Sequence, residues 1–218
     1  MDGLLLVDKP AGITSHDVVA GIRRRFRIRP VGHGGTLDPA ATGLLVLLIG
    51  KATRQASSLL GADKTYRATL RLGVTTDTQD GDGRVLEARA VGPLTLDQVE
   101  AACARFRGTI EQEIPAYSAS RIQGKHSYAL ARAGVTVPRR VRQVTIHELQ
   151  VLGLHLPDVE LEITCSKGTY IRTLCADLGS ALNCGGHLHW LRRTRVGSFS
   201  IDQAAPFDEV QPEQIIPL

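Results

Sequence analysis

VGHGGTLDPAATGLL, residues Val31 to Leu45, sets a glycine-rich loop directly before an apolar run, LLVLLIG, Leu44 to Gly50. Gly34 and Gly35 admit backbone conformations that a Cβ forbids, and they let a ligand or another backbone approach closely. Asp38-Pro39 fixes a turn and biases Asp38 toward extended backbone. The apolar run that follows is a core strand, which would hold the loop and its one carboxylate in a defined place. Two readings of Asp38 stand at this level: a nucleophile on a pinned loop, or a turn initiator or helix cap.

Outward from that loop, Leu4 to Val7 is a short apolar strand, followed by the turn Lys9-Pro10-Ala11-Gly12. Thr14 or Ser15 caps a helix from about Asp17 to Phe26, with Val18, Val19 and Ile22 inward. Lys51 to Leu60 reads as a helix ending at Gly61. YRATLRLG alternates with period two, which puts Tyr66, Ala68, Leu70 and Leu72 on one side of a strand. TTDTQDGDG, Thr75 to Gly83, is a polar loop. Leu94 to Arg107 reads as a helix capped by Thr95, with Leu96, Val99, Ala102 and Phe106 as its apolar stripe. Gly124 to Arg142 is polar and basic, interrupted by Gly134 and Pro138. Val141 to Leu152 and Val159 to Cys165 are strands. Ser166 to Tyr170 turns the chain into a helix carrying Ile171, Arg172, Leu174, Cys175 and Leu178. A cation near a helix start opposes the dipole, so Arg172 calls for an anionic partner.

Composition narrows the function. With 43% hydrophobic and 22% charged residues in 218, the chain has the balance of an ordinary globular domain. No apolar run approaches the roughly 20 residues that span a bilayer. The start, MDGLLLVDKP, lacks a signal peptide's basic region and cleavage site, which points to the cytoplasm. Cys103, Cys165, Cys175 and Cys184 form no CxxC pair, so they are expected reduced and structural. Cys184, His187 and His189 lack a second cysteine pair for zinc, and Asp77, Asp80 and Asp82 lack the closing glutamate of a calcium loop, its place being taken by Ala88. No metal is expected. Net charge is +4, with arginine clustered at Arg23 to Arg29, Arg139 to Arg142 and Arg192 to Arg195. Such clusters suit a polyanion and also occur as plain solvated surface.

HGGTLDPAATG resembles the catalytic motif of the TruB family of tRNA pseudouridine synthases. LLLVDKPAGITS (Leu4 to Ser15), KTYRATLRLGVTTDTQDGDG (Lys64 to Gly83), YSASRIQGKHSYALARAG (Tyr117 to Gly134), CSKGTYIRTLCADLG (Cys165 to Gly179) and GGHLHWLRR (Gly185 to Arg193) resemble further family blocks in the expected order. The resemblance implies an α+β pseudouridine synthase fold, with a central mixed, largely antiparallel sheet flanked by helices. It implies one catalytic domain over residues 1–218. Family members commonly continue into an RNA-binding domain of the PUA type, and none is evident before Leu218. Arg121 stands where lysine is usual and Ile114 where proline is usual; neither touches the chemistry.

By the same resemblance Asp38 is the catalytic group, Tyr66 stacks on the target base, and Arg172 holds Asp38. Leu191, Lys9 and Asp80 support the site, and His33 fills the space that the extruded base leaves. The basic segment Gly124 to Arg142 closes over RNA. Arg139, Arg140, Arg142, Arg192 and Arg193 suit phosphate contacts. The implied reaction turns uridine 55 of the tRNA T-loop into pseudouridine. It is an isomerisation with no net redox change, so no cofactor is expected, and the chain carries no dinucleotide or phosphate-loop motif. A carboxylate of ordinary pKa, about 3.9, is ionised without an activating base. The implied partner is the T-arm stem-loop of tRNA, approached by a monomer with no obligatory protein partner and no membrane. Two other readings remain: an RNA-binding or tRNA-folding module that does not use Asp38, and a synthase acting on another RNA.

Overall fold

The computed structural model describes every residue except 1, 119, 120, 123, 128, 129, 131, 132, 134, 136, 137 and 218. The chain forms two compact units, Met1–Arg67 with Thr164–Lys167 and Trp190–Leu218, and Ala68–Ile163 with Gly168–His189. The architecture is α+β, built on mixed β-sheet with helices, as the sequence led us to expect.

In the first unit, β1 (Gly3–Lys9) runs antiparallel to β3 (Thr42–Ile49), with Lys9 opposite Gly43. Between them in the chain, α1 (Ser15–Phe26) starts at Thr14, whose hydroxyl accepts from Asp17 N while the Asp17 carboxylate accepts from Thr14 N. That reciprocal cap satisfies two helix-end donors. β2 (Val31–His33) adds antiparallel to β3, with Val31 opposite Ile49. Leu45, Leu47 and Ile49 pack with Val18, Val19 and Ile22 of the helix, while Leu44 and Val46 pack with Leu6 and Val196 on the other face. Both faces of β3 are therefore buried, which is why its sequence is an unbroken apolar run.

The expected helix 51–60 opens differently. Gly50–Gln55 is a 3-10 turn, with the Thr53 hydroxyl bonded back to Gly50 O at 2.8 Å, and only α2 (Ala56–Gly61) is α-helical. The Lys64 ammonium closes α2 by donating to Leu59 O, Leu60 O and Ala62 O.

The second unit holds Ala68–Leu72 of β4 (Lys64–Leu72) and Asp158–Ile163 of β11 (Asp158–Cys165), followed in strand order by β10 (Val141–His155) and β7 (Gly108–Glu113); the remaining residues of β4 and β11 belong to the first unit. Thr75 to Gly83, expected as a plain loop, belongs to a hairpin of β5 (Val74–Thr76) and β6 (Val85–Ala88), with a register shift at Thr75/Thr76. α3 (Leu96–Ala104) has the expected Thr95 cap, but Leu96 is 54% exposed and Phe106 lies beyond the helix end. Val99, Ala102 and Cys103 form its inward face instead. β8 (Arg121–Ile122) and β9 (Lys125–His126) make a short pair. α4 (Ile171–Ala181) follows Tyr170, whose backbone N–H and C=O both bond the Gln112 amide.

β12 (Gly186–Val196) carries residues of both units; in the first it runs parallel to β3, with Arg192 opposite Thr42 and Arg193 opposite Gly43. β13 (Phe199–Ser200), β14 (Ala205–Pro206) and β15 (Ile216–Pro217) complete the first unit, β14 and β15 both pairing with β1. Among the described residues no helix is long and apolar enough to cross a membrane.

Gly43 is where β3 meets β12 most tightly. Its φ is +101°, and a Cβ there would stand 2.3 Å from Arg193 O. Gly43→Ala is expected to destabilise the protein by about 2 kcal/mol or more, since strained backbone alone costs roughly 1–3 kcal/mol. Urea or thermal unfolding measures the loss.

Candidate active site

The loop between β2 and β3 is gripped through its backbone on both sides of Asp38. Gly34 N donates to Val46 O at 2.8 Å. Leu37 N donates to the Ser15 hydroxyl at 2.8 Å, and that hydroxyl donates to Leu37 O at 3.1 Å. Gly12 N donates to Pro39 O at 2.9 Å, and Ala41 N to Asp38 O at 3.1 Å. The β1–α1 turn thus forms a seat for residues 37–39, which fixes where the Asp38 carboxylate starts from.

Two buried cations complete the seat. Lys9 is 0% exposed, and its ammonium donates to Pro10 O, Ile13 O and Pro39 O at 2.8, 2.7 and 3.1 Å. Arg193 is 1% exposed; its guanidinium donates to Leu44 O at 2.8 Å, Gly35 O at 3.0 Å and Thr36 O at 3.4 Å. Gly35 has φ +142°, the backbone setting in which its carbonyl receives that bond. Removing a cation from water costs several kcal/mol unless charge-assisted hydrogen bonds replace the solvent, and here three carbonyls do so for each.

The electrostatics follow from that burial. Lys9 is lowered to about 8, chiefly by desolvation, with Asp38 opposing the shift and Arg193 adding to it. Burial and then the Arg193 charge lower His33 as well, whose Nδ1 accepts from Gly35 N at 3.4 Å. Tyr66, 9% exposed, is raised by burial and partly drawn back by the charge and hydrogen bond of Arg193. Leu191 is buried, and its carbonyl accepts from the Thr42 hydroxyl at 3.3 Å, beside the loop's exit into β3. Lys9, His33, Tyr66 and Leu191 thus belong with Asp38 to the first unit.

Arg172 and Asp80 belong to the second. Arg172 is the second residue of α4 and 5% exposed; it donates to Tyr117 O at 2.7 Å and Thr78 O at 3.3 Å and lies 3.6 Å from the Asp80 carboxylate. The anion that a cation at a helix start calls for is present, and within this unit it is Asp80. That carboxylate also accepts from the Thr78 hydroxyl and from Asp82 N, which shapes the β5–β6 loop.

The arginines divide. Arg139 is exposed and paired with Glu113, Arg140 donates to the Ser127 hydroxyl, and Arg142 donates to Gly168 O and lies over the Tyr170 ring. Arg192 makes a two-point pair with Asp8. Arg193 departs from the surface cluster that the sequence suggested: it is core, and its donors serve the loop. The signal was available, since Arg193 lies two residues from buried Leu191 on a strand and so shares its face. Of the segment Gly124 to Arg142, positions 128, 129, 131, 132, 134, 136 and 137 lie outside the described residues. Among the described residues no three or more His, Cys, Asp or Glu gather as a metal site; His187 Nδ1 lies 2.9 Å from Val74 O.

Comparison places the fold first. The chain is similar to the solved "Cbf5-Nop10-Gar1 Complex" (TM-score 0.75, 32% identity) and to an "H/ACA RNP bound to a substrate RNA" (TM-score 0.72, 30% identity), covering 95% of this chain in each case and 53% and 51% of those chains. A structure described as "pseudouridylate synthase" shares the fold at TM-score 0.53 and 16% identity. The architecture is that of the RNA pseudouridine synthases.

Sequence narrows the class. Residues 23–171 match the family "TruB family pseudouridylate synthase (N terminal domain)" and residues 172–216 match "tRNA pseudouridylate synthase B C-terminal domain". The chain is 48% identical to a tRNA pseudouridine synthase B of Thermobifida fusca (all of this chain, 77% of that protein). It is 50% identical to one of Burkholderia pseudomallei (95% of this chain, 68% of that protein). This chain belongs to the TruB family.

The Lys9 geometry has a pH consequence. Its folded pKa, about 8, lies below the unfolded value near 10.5, so the unfolded chain holds the extra proton between them. Stability from this group therefore rises as pH climbs from about 8 to 10.5. In urea unfolding, the advantage of the wild type over Lys9→Met is expected to grow across that window.

Proposed function

We propose that this protein converts uridine 55 in the T-loop of tRNA to pseudouridine, with Asp38 as its catalytic group. The observation that carries this is the seat of Asp38: a carboxylate on a loop gripped through its backbone, with two buried cations and the Tyr66 ring in its own unit. In the reaction the bond from ribose C1′ to N1 of uracil breaks and a bond from C1′ to C5 forms. C5 loses a proton and N1 gains one, so atoms and electrons balance within the substrate. No cofactor is required for that exchange.

The target base is stacked inside the T-loop, so the enzyme extrudes it at a cost of a few kcal/mol. Tyr66 offers the flipped base a face, Leu191 an apolar wall, and His33 occupies the vacated position. Lys9 and Arg193 favour negative charge in their surroundings and hold the loop while the base turns. Arg172, ordered by Asp80 within its own unit, is assigned to the same reaction by the family resemblance. The T-arm of tRNA is the partner, met in the cytoplasm by a monomer that needs no protein partner; residues 1–218 act as one catalytic module. The identity to tRNA pseudouridine synthases, about 50%, exceeds the roughly 30% to the Cbf5 and H/ACA RNP structures, which favours tRNA over another RNA as the substrate.

The test uses a T-arm stem-loop transcript with site-specific mapping of product. Wild type is expected to convert uridine 55. Asp38→Asn should lose roughly 10³-fold or more in rate while binding the RNA with little change, because the nucleophile and not the interface is removed. Conversion by Asp38→Asn at the wild-type rate would end the assignment.

A further inference from the structure

Between Val18 and Ala62 the chain carries seven arginines and lysines and a single carboxylate, Asp38, although the whole chain is only +4. Of the seven, Arg24 is exposed, and two others donate to backbone carbonyls, Arg23 from a half-buried position and Arg25 from an exposed one. Arg23 donates to Val31 O, and Arg25 donates to Phe207 O and Val210 O and stacks against Phe26 and Phe207. Lys51 makes an exposed pair with Asp2 at 3.8 Å. Arg27, Arg29 and Arg54 are exposed, and among the described residues none has a carboxylate partner.

The placement of Arg29 and Arg54 is tied by backbone, and Arg27 precedes Arg29 by two residues. Gly50 N donates to Pro30 O at 2.8 Å, which joins the Arg29–Pro30 link to the turn that carries Arg54. The Thr53 methyl lies 3.8 Å from where a Gly32 Cβ would stand, so that turn also borders β2, whose last residue is His33. Resting on the proposed T-arm substrate, we infer that Arg27, Arg29 and Arg54 form a phosphate-binding patch beside His33. It docks the RNA backbone that flanks the loop entering the site. A run of one sign with exposed, uncompensated guanidinium groups is the electrostatic footprint of a polyanion contact. RNA fits better than an acidic protein because Arg29 lies four residues before His33, the residue of β2 from which the loop carrying Asp38 departs.

The test measures T-arm affinity against salt for Arg27→Gln, Arg29→Gln and Arg54→Gln, singly and together, with the Arg→Lys series beside them. Each lost phosphate contact is expected to reduce the slope of log K against log salt by about 0.7–0.9. The triple variant should bind roughly tenfold or more weakly at 0.15 M salt, with the loss in KM rather than kcat. The lysine series should recover the slope, because a phosphate contact reads charge rather than a planar fork. An unchanged slope in the triple glutamine variant overturns the patch, and so does weakened binding with the slope intact, which would be a folding effect. Failure of wild type to convert uridine 55 would count against the proposed function and leave the salt slopes to decide the patch.

Discussion

The guanidinium of Arg193 is the contact on which the rest of this architecture turns. It sits in the core of the first unit and bonds the carbonyls of Leu44, Gly35 and Thr36, so one side chain ties the start of β3 to the loop before it. A buried cation is tolerable only where acceptors converge on it. The convergence depends on the parallel meeting of β3 and β12, which puts Arg193 opposite Gly43. Gly43 must lack a side chain for that meeting to close. Loop shape, strand register and a buried charge are therefore one constraint.

Lys9 applies the same logic from β1. Its ammonium bridges the turn after β1 to Pro39, one residue past Asp38. Charges in such a setting interact far more strongly than in water, so the two cations raise the local potential around the carboxylate without facing solvent. Preorganised charge of this kind needs no rearrangement at the moment of reaction. The second unit shows a smaller version, with Arg172 set by Asp80, Thr78 O and Tyr117 O at the head of α4.

Much of this was legible in the sequence, and where it was not the reasons are physical. The apolar runs of β1 and β3, the alternation of β4 and the Thr95 cap announced themselves because burial and capping act on neighbouring residues; of the two caps open to α1, Thr14 or Ser15, the fold uses Thr14. β7 did not, since GTIEQE buries only one side chain fully, the polar Gln112. The β5–β6 hairpin was masked by exposed Val85 and Leu86, whose pairing is set by backbone bonds rather than by a buried face. Arg193 was misplaced because an arginine in a basic run reads as surface, and only its phase relative to Leu191 says otherwise. Arg172 called for an anion correctly; that Asp80 supplies one follows from the fold of the β5–β6 loop, which composition does not encode.

The most direct measurement is single-turnover pseudouridine formation by Arg193→Lys on saturating T-arm RNA. Lysine keeps the positive charge but cannot reach three carbonyls at once. If the guanidinium sets the loop, the rate constant should fall by about 10–100-fold, the scale of a 1 Å misplacement, while RNA affinity stays within about twofold. An unchanged rate constant would contradict the account, because the carboxylate would then hold its position without the contact said to fix it.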